Sequence, residues 1–173
     1  VVTTESGAEP ALLTFAVEHG TFTLRRAREG DLPQILALLA DDQLGATRES
    51  MDDPAPYQRA FEAIDADPSH LLVVGELKGE VVATFQLSYI PGLSRKGSWR
   101  AQIEAVRVSD ALRGQGVGGV MVQWAIDQAR ERGCSLMQLT TDKSRVAAHR
   151  FYERLGFVAS HEGMKLLLEP NHI

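Results

Sequence analysis

The sequence predicts an α/β (α+β) domain whose sheet combines antiparallel hairpins with a parallel pair of strands. Three observations carry that reading. Residues 102–132 divide into a strand, a Gly-rich loop and a helix. A further strand over 134–141 must run parallel to the first, because a helix connects the two. Upstream, 71–77 and 81–90 read as strands separated only by Lys78, Gly79 and Glu80, which is short enough for an antiparallel hairpin.

The remaining elements follow in order. Residues 1–20 hold Ser, Gly, Glu and Pro and then an apolar patch over 12–17, readable as an extra strand or as an arm; the domain proper is expected over 21–170. Phe22 and Leu24 alternate with Thr21, Thr23 and Arg25 as in a strand, and the chain turns at Glu29, Gly30 and Asp31. Asp31 is the expected N-cap of a helix with Pro33 in its first turn and Leu32, Ile35, Leu36 and Leu39 on one face. A polar connector over 41–53 leads to a second helix, with Tyr57, Ala60, Phe61 and Ile64 at i, i+3, i+4, i+7, ended by Asp67 and Pro68. After the hairpin comes a loop over 91–99 carrying Arg95, Lys96 and Trp99.

In the central strand Ile103, Ala105 and Arg107 alternate with Gln102, Glu104, Val106 and Val108. The helix after it shows apolar residues at Val117, Val120, Met121, Trp124, Ala125 and Ala129 and stops at Gly133. A short helix over 145–155 is capped by Gly156, and 157–161 with 164–168 read as a final hairpin turning at Glu162 and Gly163. The predicted order is βααβββαβαββ.

With 173 residues and 44% apolar side chains, the chain suits one domain with a substantial core. Net charge is -5 and the pI is near 5.5, so a sequence-independent grip on nucleic acid or anionic membrane has no electrostatic support. A cationic amine is the better-matched partner. Cys134 has no second cysteine to pair with, and the histidines at 19, 70, 149, 161 and 172 show no metal-ligand spacing. No apolar run is long enough to span a bilayer, so a cytoplasmic protein without a metal is expected.

The 109–116 loop is suited to phosphate. The first turn of a helix leaves backbone N–H groups without partners at the positive end of the helix dipole. Gly114, Gly116, Gly118 and Gly119 let that backbone approach an anion, and Arg113 adds a guanidinium. Gly114, Gly116 and Gly119 also satisfy G-x-G-x-x-G, with Asp142 near the spacing of a ribose-binding acid. That dinucleotide reading fits poorly, because Ser109, Asp110, Ala111, Leu112 and Arg113 intervene after the strand and too little chain follows for a doubly wound sheet.

Arg113, Gly116 and Gly118, as Arg-x-x-Gly-x-Gly after Glu-Ala-Val-Arg-Val, resemble the signature of the GNAT superfamily of acyl-CoA N-acyltransferases. Ala148 to Phe157, AHRFYERLGF, is similar to the family's second block. The resemblance implies a GNAT fold with a mixed, mostly antiparallel central sheet flanked by helices, and acetyl-CoA as cosubstrate. It implies that Val106, Arg107 and Val108 bind pantetheine while Arg113, Gly114, Gln115, Gly116, Val117, Gly118 and Gly119 hold the pyrophosphate. Where the family usually has Asn, this chain has Arg145, which either meets a coenzyme phosphate or is a solvated charge at a helix start.

Amide formation from a thioester requires a neutral amine, a stabilised oxyanion and a protonated leaving thiolate. Alkyl ammonium groups have pKa values near 10.4, roughly that of lysine, so a carboxylate must take a proton. The resemblance assigns that role to Glu104. Tyr152 is the expected acid, since a phenol of pKa about 10 can protonate a thiolate whose conjugate acid has pKa about 8.5. Trp99, Arg100 and His161 lie near elements that line the acceptor site in relatives. Cys134 is read as a packed thiol rather than an acetyl acceptor. The acceptor is expected to be a primary amine on a small molecule, with a peptide or protein amine as the alternative in the same class. A coenzyme A-binding sensor without turnover is the rival of a different class. Dimers are common in the family, which makes a homodimer a further expectation.

Overall fold

The computed structural model describes residues 10–41, 49, 52–166 and 168, and its frame is a six-stranded sheet in the order β1-β2-β3-β4-β5-β6. The strands are β1 (Leu13–Val17), β2 (Gly20–Arg26), β3 (His70–Leu77), β4 (Glu80–Ile90), β5 (Trp99–Val108) and β6 (Cys134–Gln138). Every neighbouring pair is antiparallel except β5–β6, which is parallel, as the connecting helix requires. The helices are α1 (Leu32–Ala40), α2 (Ala55–Ala66), α4 (Val117–Glu131) and α5 (Val146–Arg154), with α3 (Ser94–Gly97) a single turn whose Arg95 and Lys96 are left-handed at φ 54 and 62.

The two sheet faces are covered differently. On one, Phe22, Phe85, Leu87 and Ile103 bury against Met121, Val122 and Ala125 of α4. On the other, Val74 and Val81 pack with Ile35 of α1 and with Phe61 of α2. The apolar patch over 12–17 joins the sheet as β1, with Phe15 opposite Phe22 and the rings 5.0 Å apart. The β3–β4 turn is tighter than the sequence suggests. Glu80 already pairs with Leu77, so the turn is Lys78 and Gly79, both with positive φ, the backbone that matches the twist of a two-residue hairpin.

Gly75 of β3 is required by a close approach. A Cβ there would lie 2.2 Å from Phe22 Cζ and 2.8 Å from its Cε2. Gly75→Ala is therefore expected to lower stability by about 2–3 kcal/mol, because the fully buried Phe22 ring has nowhere to move; urea unfolding of the variant checks this.

Several expectations are corrected. Asp31 precedes α1 but does not cap it with its side chain. Its carboxylate instead accepts from the Arg25 guanidinium at 2.7 and 2.9 Å and from the Arg28 amide at 2.7 Å, since a buried guanidinium is the stronger partner. The parallel strand stops at Gln138 rather than Thr141. The final hairpin is not formed over 157–166: this stretch has no strand partner, and Val158, Met164 and Leu166 stand 80 to 96% exposed. Alternation alone cannot make a strand without a neighbour to complete its hydrogen bonds. Leu167 and most of the 41–53 connector lie outside the described residues.

Candidate active site

The site begins where β5 changes character. Strict alternation predicts that Ala105 faces away from Glu104, but the register with β4 shifts between Thr84 and Gln86: Thr84 pairs with Arg107 and Gln86 with Glu104. Two residues, Ala105 and Val106, therefore stand against Phe85, which is a β-bulge. Ala105 is at φ 53, a left-handed conformation that an alanine adopts only under tertiary constraint. The composition of this strand gave no sign of the bulge, because such bends are set by the neighbouring strand.

β6 parts from β5 at the same point. Their last pair is Gln102 with Gln138, and beyond it residues 103–108 of β5 pair with β4 alone. A fork results, with Val106, Arg107 and Val108 along one arm on a strand edge that β6 no longer pairs. An extended ligand carrying amide groups can add to such an edge as a further strand. Arg107 Nη1 donates to the Val106 carbonyl at 3.1 Å, closing one acceptor at the fork.

The 109–116 loop ends the fork at the α4 terminus. Gly114 and Gly116 both have φ 80, and Gly116 is the N-cap of α4 without a capping side chain. The amides of Val117, Gly118 and Gly119 thus head the helix where an anion is favoured. A Cβ on Gly114, Gly116 or Gly119 would meet no atom within 4 Å, so the space over the loop is open. Gly118 differs: a Cβ there would lie 3.5 Å from Phe151 Cζ, an ordinary contact distance, so this glycine faces α5 rather than open space. Arg113 is ion-paired with Asp110 and more than half exposed. Gln115 Nε2 donates to the Ala111 carbonyl at 3.0 Å and steadies the loop. The strand edge beyond the β6 pairing, the open glycine cradle and the exposed guanidinium together fit the pantetheine and pyrophosphate of coenzyme A.

Glu104 stands exposed at the fork, on the face shared with Gln86. Gln102 Nε2 donates to Glu104 Oε1 at 2.7 Å. Beside it, Leu32, Leu36, Tyr57, Phe61, Gln86 and Ala105 line a cavity between α1, α2 and the sheet. This cavity depends on chain-distant residues that sequence spacing does not connect.

Tyr152 lies on α5 with its ring edge-on to Phe151 at 5.0 Å and to Phe157 at 5.7 Å. Burial raises its pKa, partly offset by the charges of Arg145 and Arg107, so the phenol stays protonated at neutral pH. Arg145 thus acts electrostatically on Tyr152. Asp142 is a turn residue: its Oδ1 accepts from Ser144 N at 2.9 Å and from Ser144 Oγ at 2.6 Å. Cys134 packs against the core, and burial raises its pKa against the opposing pull of Arg132, which disfavours the nucleophilic thiolate. His161 is exposed and bonded to the neighbouring Ser160. Trp99 is 42% exposed at the start of β5. Arg100 follows it, with its buried Nε lacking a hydrogen-bond partner among the described residues.

A largely antiparallel sheet, with a single parallel pair opening into a fork, excludes the doubly wound dinucleotide fold and gives the GNAT acyltransferase layout. The acetyltransferase (GNAT) family matches over residues 32–157, and the chain belongs to that family. It is similar to the aminoalkylphosphonate N-acetyltransferase of Salmonella typhimurium, 30% identical over 138 residues, covering 80% of this chain and 86% of that protein. It is also 31% identical over 149 residues to an L-methionine sulfoximine/L-methionine sulfone acetyltransferase of Pseudomonas paraeruginosa, covering 80% of this chain and 81% of that one. Among solved structures, a transcriptional regulator from Bacillus halodurans C-125 superposes with a TM-score of 0.82 at 51% identity, covering 85% of this chain and 99% of that one. Among the described residues no group of His, Cys, Asp and Glu is arranged to hold a metal, and no helix is long and apolar enough to cross a membrane.

Proposed function

We propose that the chain moves the acetyl group of acetyl-CoA to the primary amine of a small molecule, by direct attack with both substrates bound. The observation that carries this reading is the coincidence, at one register of the sheet, of the β5–β6 fork, the bulge at Ala105 and the exposed Glu104 carboxylate. The thioester supplies an activated acetyl carbon and a thiolate leaving group. Glu104, directly or through water, takes the proton that the attacking amine must lose. The edge of β5 at Val106–Val108, beyond the end of its pairing with β6, directs backbone amides toward the acyl oxygen and holds pantetheine. Arg113 and the 114–119 backbone hold the pyrophosphate, with Arg145 adding charge nearby. Tyr152, protonated at neutral pH, returns a proton to the thiolate; the burial that raises its pKa makes it a weaker acid, and the charges of Arg145 and Arg107 offset part of that.

The acceptor class is drawn from two sides. The cavity beside Glu104 is mainly apolar, with Tyr57, Thr84 and Gln86 as its polar residues, so it suits a short carbon chain. The two relatives above act on aminoalkylphosphonates and on methionine sulfoximine or sulfone, small amines that also carry an acidic group. Small zwitterionic amines are therefore the first panel to test, with peptide amines as the second. The reading extends to a homodimer, tested by light scattering, and to a reducing cytoplasm, which suits the free thiol of Cys134.

Calorimetric titration with acetyl-CoA, with NAD as the control, followed by free-thiol release against the amine panel, tests the whole reading. Micromolar binding, about -8 kcal/mol, with amine-dependent thiol release is expected. Binding without release across both panels would favour a coenzyme A-responsive partner, the class that the likeness to a regulator keeps in view. Absence of acetyl-CoA binding would overturn the proposal. Cys134→Ser is expected to leave kcat within about a factor of two, since direct attack forms no acyl-enzyme on this thiol.

A further inference from the structure

Glu104 is not alone at the fork. Gln138 Nε2 donates to Gln102 Oε1 at 2.7 Å, and Gln102 Nε2 donates to Glu104 Oε1 at 2.7 Å. The first bond crosses from β6 to β5 at their last paired register, and the second runs along β5 to the carboxylate two residues on. We infer that Gln102 and Gln138 are positioning residues for Glu104, forming a directional amide relay that fixes the base at the mouth of the fork. The inference rests on the role proposed above for Glu104.

The polarity of the relay follows from donor and acceptor chemistry. An ionised carboxylate only accepts, so Gln102 must turn its NH2 toward Glu104. Its carbonyl is then committed to the opposite side, where only a donor satisfies it. Gln138 supplies that donor from the neighbouring strand. Each amide in turn has one productive orientation, and the charge on Glu104 selects it. Without Gln138, Gln102 still turns its NH2 toward the carboxylate, but its carbonyl loses the donor that holds the amide plane in place, and the side chain can swing.

The consequence is geometric. Glu104 is exposed and follows directly on the register where β6 departs, so no neighbouring β6 residue restrains its side chain. A carboxylate free to rotate spends only part of its time aimed at an amine, and the relay removes that freedom before substrate arrives. It also explains why Gln102 and Gln138 sit at the point of parting: the same pair that ends the parallel ladder anchors the base beyond it.

The test uses the full chain and an amine found in the panel. Gln102→Leu is expected to lower kcat about tenfold, the size of losing one hydrogen bond to a charged group, with KM for acetyl-CoA unchanged. Gln138→Leu is expected to lower kcat about threefold, since its effect passes through Gln102. The double variant should match Gln102→Leu alone, because the outer residue has nothing left to act on. Gln102→Glu keeps the size and removes the donor, so it should lose at least as much as Leu, which a packing role would not predict. Thermal midpoints should stay with the parent's, as these bonds are exposed.

Additive losses in the double variant, or Gln102→Leu with parental kcat, would overturn the relay. The base itself is tested apart: Glu104→Gln with parental kcat would sink the role of Glu104, whatever the glutamine cycle shows. A readout independent of any acceptor is the NMR of the side-chain amides. Glu104→Ala should shift the NH2 signals of both Gln102 and Gln138, and an unmoved Gln138 signal would show that the bonds are not linked.

Discussion

Replacing Glu104 by Gln is expected to lower kcat about 10²- to 10³-fold near neutral pH, with KM for acetyl-CoA nearly unchanged. The side chain keeps its size and its place on β5, so the fork and the glycine cradle remain. What is lost is the proton acceptor, and an alkyl ammonium of pKa about 10.4 then reaches its reactive neutral form only through bulk water. Raising the pH should recover part of the rate, because it supplies the free amine directly. Steady-state kinetics from pH 7 to about 10 checks both points. Tyr152→Phe should cost less, about tenfold, since a thiolate is already a fair leaving group. A Glu104→Gln enzyme as fast as the parent, with the same pH dependence, would remove Glu104 from the mechanism.

The second large effect lies in stability, far from the fork. Arg25 is 9% exposed and holds Asp31 through two hydrogen bonds and Glu76 through a third at 2.9 Å. Asp31→Ala is expected to cost about 3 kcal/mol, because it leaves the buried guanidinium with only the partly exposed Glu76 as its charged partner. Replacing the pair together, Arg25→Met with Asp31→Leu, should cost less than Asp31→Ala, since the one charge that then loses its partner, Glu76, is 33% exposed and reaches water. Urea unfolding of the variants checks the order.

The same network sets an acid sensitivity. Burial pushes the Asp31 carboxyl up, but hydrogen bonds from Arg25 and the Arg28 amide, with the charges of both arginines, outweigh it and leave the pKa below the ordinary value. A depressed carboxyl contributes stability that is complete above its unfolded-state pKa and fades as pH falls below that toward the folded one. The parent should therefore lose stability on acidification through that range, and the double replacement should lose less.

The sequence was sufficient for the parts of the molecule that are local. The strand, glycine loop and helix at 102–132 were legible because helix spacing, a φ-permissive loop and a phosphate-suited helix start are written in consecutive residues. The parallel β5–β6 pair followed from a connecting helix, and the core face of α4 from its period. Two motif blocks were enough to imply the family and to nominate Glu104 and Tyr152. The fate of 12–17 stayed open between strand and arm until β2 offered Phe22 and Leu24 as partners.

The structure alone decided whatever depended on a neighbour. The bulge at Ala105 arises from the register with β4, so alternation within β5 could not reveal it. Asp31 left its expected cap because Arg25, buried and charged, competes better than a helix amide. Residues 157–166 keep an alternating pattern without becoming a hairpin, since pairing is a property of two strands. Gln102 and Gln138 read as ordinary polar residues in the chain, separated by a whole helix, and become a relay only when the parallel ladder ends on them. Periodicity and motif chemistry fix which residues can act; the placing of one strand against the next fixes which of them meet.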